Sequence, residues 1–481
     1  MMNRKENLMM KKVNLFGVVL AVLTAVAGPF AVTKSDAQCT FTFDSASAHF
    51  TTAGGTGSVT VTASDPSCSW AAISYSPFVS ITSTQDFTGN GTVTYTVSNN
   101  TNLVGFTGEM VIAGQVYLVY QDAFSTPRST FYGIVLPNNA PSQTGSGTIT
   151  LQLSSGGTFS SAVIALGGVR TSFRGRFDGA GNFSSNSIAR PKLGPLQLDL
   201  QLDLFDGADS ITGTVSDGSF TSTVFAAVAS NNRTNNCPAK GSYTFVLAPA
   251  NSSDPSVPQG YGYGMLTVAK SGVTKMQGVL GDGTKITGNV PTSLDATWPL
   301  YNLLYNKGLG SCAGLIVLPT NSAFTFISSN PVTSPAPPEI VSSSNTAFSA
   351  SVDWIKPPQA TDKLYPGGFT TSVTLTGATF VSGFIPVGSN TVTLGGGNLA
   401  SNIVKTVSID TNAVVTVLDP GGDRMAMVLS PFNGQFFGSF VDTTAGLTRQ
   451  FSGVLVSTNH LGAGYFIGTS QSGFVILQPV P

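Results

Sequence analysis

Binding or catalytic chemistry needs particular side chains held close together, and few stretches of this 481-residue chain offer them. The richest are aromatic. "QGYGYG" places Tyr261 and Tyr263 on one face of a strand, and "WPLYNLLY" carries Trp298, Tyr301 and Tyr305. Flat rings beside polar groups are what a sugar face or a protein partner stacks against; the competing role for these five rings is to fill or rim a β-barrel. "DLFDGADS" sets Asp203, Asp206 and Asp209 around Gly207, a turn whose oxygens offer ligands to calcium. No acid stands at the twelfth loop position, so a hairpin turn is the simpler reading, and no metal or other cofactor is required.

Catalytic constellations are scarcer. Acid/base hydrolysis needs two placed carboxylates, yet beyond residue 37 the only glutamates are Glu109, in a hairpin strand, and Glu339, in a Pro-rich loop. The aspartates are scattered through turns such as "SDGS" and "GDGT". There is no Gly-x-Ser-x-Gly elbow, and neither His49 nor His460 has a Ser or Cys motif nearby. These absences favour a non-enzymatic protein. The rival is a secreted glycan-degrading hydrolase with a loop-built site, best placed between 236 and 360, where the aromatic clusters lie.

Composition narrows the partners. Only 9% of residues are charged against 41% apolar, and the formal net charge is −1. The surface is therefore neutral, built from Ser, Thr, Asn and Gly, with no basic stripe implied for nucleic acid or anionic lipid. At the N-terminus Arg4, Lys5, Lys11 and Lys12 precede an apolar run from Val13 to Val32 and then Ser35-Asp36-Ala37. This is the pattern of a signal peptide over 1–37, cut after Ala37; an uncleaved anchor is the alternative. No second run of helix-spanning length follows, so the mature chain is expected to lack a transmembrane helix and to be secreted or displayed at the cell surface. Four cysteines in an exported chain suggest two disulfides. Of three connectivities, Cys39–Cys68 with Cys237–Cys312 keeps each bridge inside one domain.

The elements that must position all this are strands. From Cys39 to Gln121, short alternating runs such as "GSVTVTA", "GTVTYTVS" and "GEMVIAGQVYLVYQ", the last turning at Ala113-Gly114, predict a small Ig-like antiparallel sandwich over 38–122. Trp70 follows Cys68 by two positions on the same strand face and is read as core rather than as a sugar platform. A linker spans 123–130. Beyond it a three-stranded meander recurs at 147–178, 200–227, 264–290 and 425–456, with a looser fifth copy running from "CAGLIVLP" through "SAFTFISS" to "FSASVDWIKP". Repeated meanders hide their edges by closing, which predicts an all-β chain with barrel-like units at 131–235, 236–360 and 361–481. Segment 328–346 is read as a long loop, with a linker as the alternative. The mid-strand glycines Gly213, Gly278 and Gly438 mark tight bends or close backbone approach. An outer-membrane β-barrel is a further alternative for such an array.

In "SAHFTTAGGTGSVTVTA", "CSWAAISYSPFVSI", "GNGTVTYTVSNNT" and "GEMVIAGQVYLVYQ", the first domain resembles the BACON domain, the Bacteroidetes-associated carbohydrate-binding often N-terminal module. The chain departs from the family at Pro77-Phe78-Val79, where a Trp more often follows the Pro. The region 131–481 resembles uncharacterised β-rich modules of exported bacterial proteins with similar "DWIKP…LYPGGF" and "GAGYFIGTSQSG" strings. The first resemblance implies an extracellular glycan as partner; a cell-surface protein is the other candidate. Adhesion or carbohydrate binding without catalysis is the function expected.

Overall fold

Apolar residues at every second position, punctuated by Gly, Asn and Asp turns, favour strands that bury one face. In a computed structural model of the chain every regular element among the described residues is a strand. The structure describes residues 38–480 apart from 103, 125, 127, 205–208, 230–236, 252–253, 306–307, 321–345 and 458–460. Residues 1–37, where a signal peptide is expected, and His460 lie outside these described residues.

The first unit is a sandwich. One sheet orders Phe41–Phe43, Gly55–Ala63, Gly91–Val97 and Val79–Ile81; the other orders Ser47–Phe50, Gln115–Gln121, Phe106–Ile112, Ser69–Ser74 and Asp86–Thr88. The hairpin turns where the sequence places it. Ala113 and Gly114 both hold positive φ, the geometry whose twist matches the flanking strands. Cys39 is bridged to Cys68. Trp70 is 7% exposed, stacks on Phe87 with ring centroids 4.2 Å apart, meets Phe41 edge-on, and donates its indole N–H to the Gly89 carbonyl at 2.7 Å. It is a core residue with its one polar atom satisfied.

Three eight-stranded antiparallel sheets follow, each rolled until nearly closed. In each, the first strand is hydrogen-bonded to the last: Ser129–Pro137 to Thr221–Val228, Gly241–Ala248 to Phe369–Thr379, and Gly388–Gly396 to Ser472–Pro479. The unbonded seam falls mid-chain instead, between Val169–Arg176 and Asn182–Arg190, between Lys285–Gly288 and Thr297–Leu304, and between Val415–Val417 and Ala426–Leu429. The strands of the four closer repeats pair in sequence, so each copy is a three-stranded meander.

Interiors are packed with side chains. Glycines stand directly opposite inward rings: Gly264 opposite Phe245, Gly377 opposite Phe348, Gly438 opposite Phe451, Gly453 opposite Phe436. A Cβ at any of these four would overlap the facing ring. The missing side chain makes room for a large one, which is how an eight-stranded barrel fits so many phenylalanines. Along Leu193–Leu202 the outward set is polar, with Leu196, Leu198 and Leu200 pointing in while Gln197 and Asp199 point out; elsewhere apolar side chains such as Val428 and its cross-strand partner Phe437 are exposed.

Three expectations are corrected. Phe369–Thr379, expected to open the third unit, pairs with Gly241–Ala248 and Ala347–Lys356 and so completes the second; the boundary lies between Thr379 and Gly388, not at 360. The fifth repeat is not a meander: Gly310–Val317 pairs directly with Ala347–Lys356. Its intended middle strand lies outside the described residues, as does most of 328–346, which joins two strands of one sheet. Cys237 and Cys312 carry free, buried thiols. Cys312 is level with Trp354 and Thr371 at one end of the second barrel. Cys237 precedes the strand whose Tyr243 pairs with Thr379 at the other end, and a disulfide needs Cα atoms within roughly 7 Å.

Junctions between units are bonded rather than loose. Phe124 is buried against Gly157 of the first barrel, and the Thr126 hydroxyl donates to the Ser154 carbonyl. Leu294 N–H reaches the Val228 carbonyl between the first two barrels. Between the second and third, Val246, Tyr263, Ala378, Val454, Val456 and Ala463 form one apolar cluster, and the Thr244 hydroxyl donates to the Leu455 carbonyl.

Candidate functional site

The five rings singled out by sequence are not brought together. Tyr263 belongs to the apolar seam between the second and third barrels, its ring tilted 6.2 Å from Tyr465, and Tyr261 packs beside it. Trp298 is buried in the second barrel and donates its indole N–H to the Val290 carbonyl at 3.0 Å. Burial pushes the Tyr301 phenol up to about 12, where the Gly168 backbone of the first barrel approaches it.

Tyr305 anchors a polar cluster that stoppers one end of the second barrel. Its hydroxyl donates to Asp282 at 2.7 Å and accepts from the Trp354 indole at 2.9 Å, while the Lys356 ammonium lies 4.3 Å from its ring centroid and pairs with Asp362. Burial, then the Asp282 charge, holds the phenol protonated far above its usual range. Two aspartates do converge here, as a hydrolase would require, but Asp282 also accepts from Thr284 N–H and Asp362 is bound to Lys356. The Lys356 side chain is 4% exposed. The cluster is a satisfied plug in which both carboxylates already have partners.

Asp206 lies outside the described residues. The Asp203 N–H donates to the Ser210 carbonyl and the Asp209 carbonyl accepts from Val228 N–H, so both residues belong to a hairpin neck. His49 meets Asp122 at 3.0 Å on the surface.

One exposed face with binding character was not among the sequence candidates. It is the outer side of the five-stranded sandwich sheet. Cross-strand register aligns Ile73, Val111 and Val116 in one row. Glu109 and Leu118 form the next row, joined by Tyr75, whose N–H bonds to the Glu109 carbonyl. Thr107, Tyr120 and His49 form the third. Tyr75 is 65% exposed, Val116 56% and Ile73 46%, while the alternate positions Met110, Ile112, Tyr117 and Val119 are buried. A solvated sheet normally turns a polar set outward. This hairpin is apolar on both faces, a signal already present in "GEMVIAGQVYLVYQ", where Val111, Val116, Leu118 and Tyr120 occupy the outward set. Phe78, standing where the BACON family more often has Trp, is half-buried against Phe106 and adds no exposed ring.

The result is a shallow strip of aliphatic and aromatic surface with one acid, suited to stacking a flat, weakly polar ligand. No family model, curated protein or solved structure matches the chain.

Proposed function

We propose that this chain is an exported, non-catalytic binding protein of the bacterial cell surface or its surroundings, acting in adhesion or carbohydrate binding through a BACON-like first domain. The observation that carries the reading is the outward apolar strip of Ile73, Val111, Val116, Leu118, Tyr75 and Tyr120 on a domain whose core is independently complete. Such a strip costs solubility unless something covers it. The Cys39–Cys68 bridge is compatible with an oxidising compartment. The barrels supply stiffness: their interiors are occupied by their own side chains and their junctions are hydrogen-bonded, which leaves outer faces and loops as the working surface.

A glycan array probed with the full chain and with Tyr75→Ala tests this. Binding that Tyr75→Ala weakens roughly tenfold, the size of one lost stacking contact, supports the strip as the site; array binding unaffected by Tyr75→Ala and Tyr120→Ala would remove it. A membrane barrel would need an apolar outer band, the reverse of the polarity of Leu193–Leu202.

A further inference from the structure

Net charge near zero conceals a local row of cations. On the strand Val169–Arg176, the first barrel's seam strand, Arg170, Arg174 and Arg176 all point outward and are exposed, with Ser172 between them. They are three of the chain's nine arginines. Two other arginines have structural work, Arg190 bound to Asp217 and Arg449 to Asp442, both largely buried. Among the described residues the three seam arginines have no ion pair. The residues across from this strand on its one bonded neighbour are small and uncharged, Ala165 opposite Arg170, Val163 opposite Ser172 and Thr158 opposite Arg176. Arg174 stands at the bulge between Phe159 and Ala162, where a pairing irregularity re-aims side chains. Asp178, the nearest acid in sequence, accepts the N–H groups of Ala180 and Asn182 in the following turn.

The row is linear. Strand geometry puts Arg170 and Arg174 roughly 13 Å apart and Arg176 roughly 7 Å further on. Arg176 lies at the sandwich end, where its guanidinium donates to the Thr101 carbonyl at 3.3 Å. Guanidinium forks match carboxylate and sulfate oxygens two at a time. Single-strand recognition stacks bases on exposed rings, and the residues alternating with the arginines on the exposed side of this strand are Ser172 and the arginines themselves, while Phe173 is buried.

The geometry points to a track for an extended acidic polysaccharide, carrying carboxylate or sulfate groups, along the outer face of Val169–Arg176. The inference goes beyond the sandwich strip and rests on the reading of the chain as a surface-acting binding protein. The test measures binding of the full chain to polygalacturonate, dextran sulfate and neutral dextran at low and high NaCl, with a single-stranded DNA oligomer and phosphatidylserine vesicles as competing polyanions.

The expected result is salt-sensitive binding to one or both acidic polysaccharides and none to neutral dextran. Each single Arg→Gln change should lower affinity about threefold to fivefold, the range of exposed ion pairs, and the triple variant Arg170→Gln, Arg174→Gln, Arg176→Gln on the order of fiftyfold. The thermal midpoint should barely move, because all three are exposed and the one hydrogen bond lost, Arg176 to the Thr101 carbonyl, is itself exposed. Unchanged binding by the triple variant, absence of binding to either acidic polysaccharide, or equal or tighter binding of DNA or vesicles would each overturn the track. If the triple variant still binds array glycans through Tyr75, the function proposed above stands and only the track falls.

Discussion

Trp70 shows how a single ring is committed by its surroundings. Its face is covered by Phe87, its edge by Phe41 and its N–H by Gly89, so Trp70→Ala should cost about 3 to 5 kcal/mol and loosen the first domain. Urea unfolding followed by far-UV CD in both proteins measures it; a loss of ligand binding with stability intact would return the ring to the surface. At the same scale, burial pushes the Asp217 carboxyl up, but hydrogen bonds from Ser219 and from the Arg190 guanidinium outweigh it and hold the group at about 2. An unfolded aspartate titrates near about 3.9. The folded group binds its proton less readily, so its stabilisation is complete above about pH 4 and is lost as pH falls through about 2. Asp217→Asn should lower stability at neutral pH by stranding Arg190, and should flatten the loss of stability between pH 4 and pH 2 in urea titrations. Trp70 was legible because its cue, a cysteine two residues earlier, is local. Tyr261 and Tyr263 were not, because the surface that buries them comes from residues near 460, about two hundred positions on.

Among elements, the governing pattern is small opposite large. Gly438 lies between Phe436 and Phe440 on one strand and faces Phe451 on the next. Gly438→Ala should destabilise the third barrel by about 1 to 3 kcal/mol through overpacking, read as a lowered melting temperature; Gly438→Ala combined with Phe451→Leu should recover part of the loss, and no recovery would mean the ring is not what the methyl strikes. Alternation and turn residues made the strands and three of the meander boundaries legible. Assignment of Phe369–Thr379 to a barrel was not, since a closing strand looks like an opening one in sequence. Its partner Gly241–Ala248 lies more than a hundred residues upstream, and the Pro- and Ser-rich stretch at 328–346 imitates a linker. The outward strip of the sandwich was readable from the doubly apolar hairpin, but rings drew attention away from Val111 and Val116.

For the molecule as a whole, the junctions decide whether four units behave as four or fewer. Ala463 is buried among Val246, Tyr263 and Ala378, so Ala463→Asp puts an unpaired charge into that contact. Calorimetry should show the second and third barrels melting together in the native chain and as separated transitions in the variant; a single unsplit transition in both would mean the contact does not couple them. Composition foretold the neutral surface but averaged away the arginine row, because a sum over the chain carries no position. The closure of each barrel has a mechanical consequence. Because the first and last strands are antiparallel neighbours, the chain enters and leaves each barrel at the same end, Phe131 beside Val228, Tyr243 beside Thr379, Asn390 beside Pro479. Tension applied through the chain therefore loads that ladder one bond at a time, as a zip, rather than all at once. A pull through its two ends would begin to open each barrel at that ladder, so its stiffness does not extend to tension along the chain.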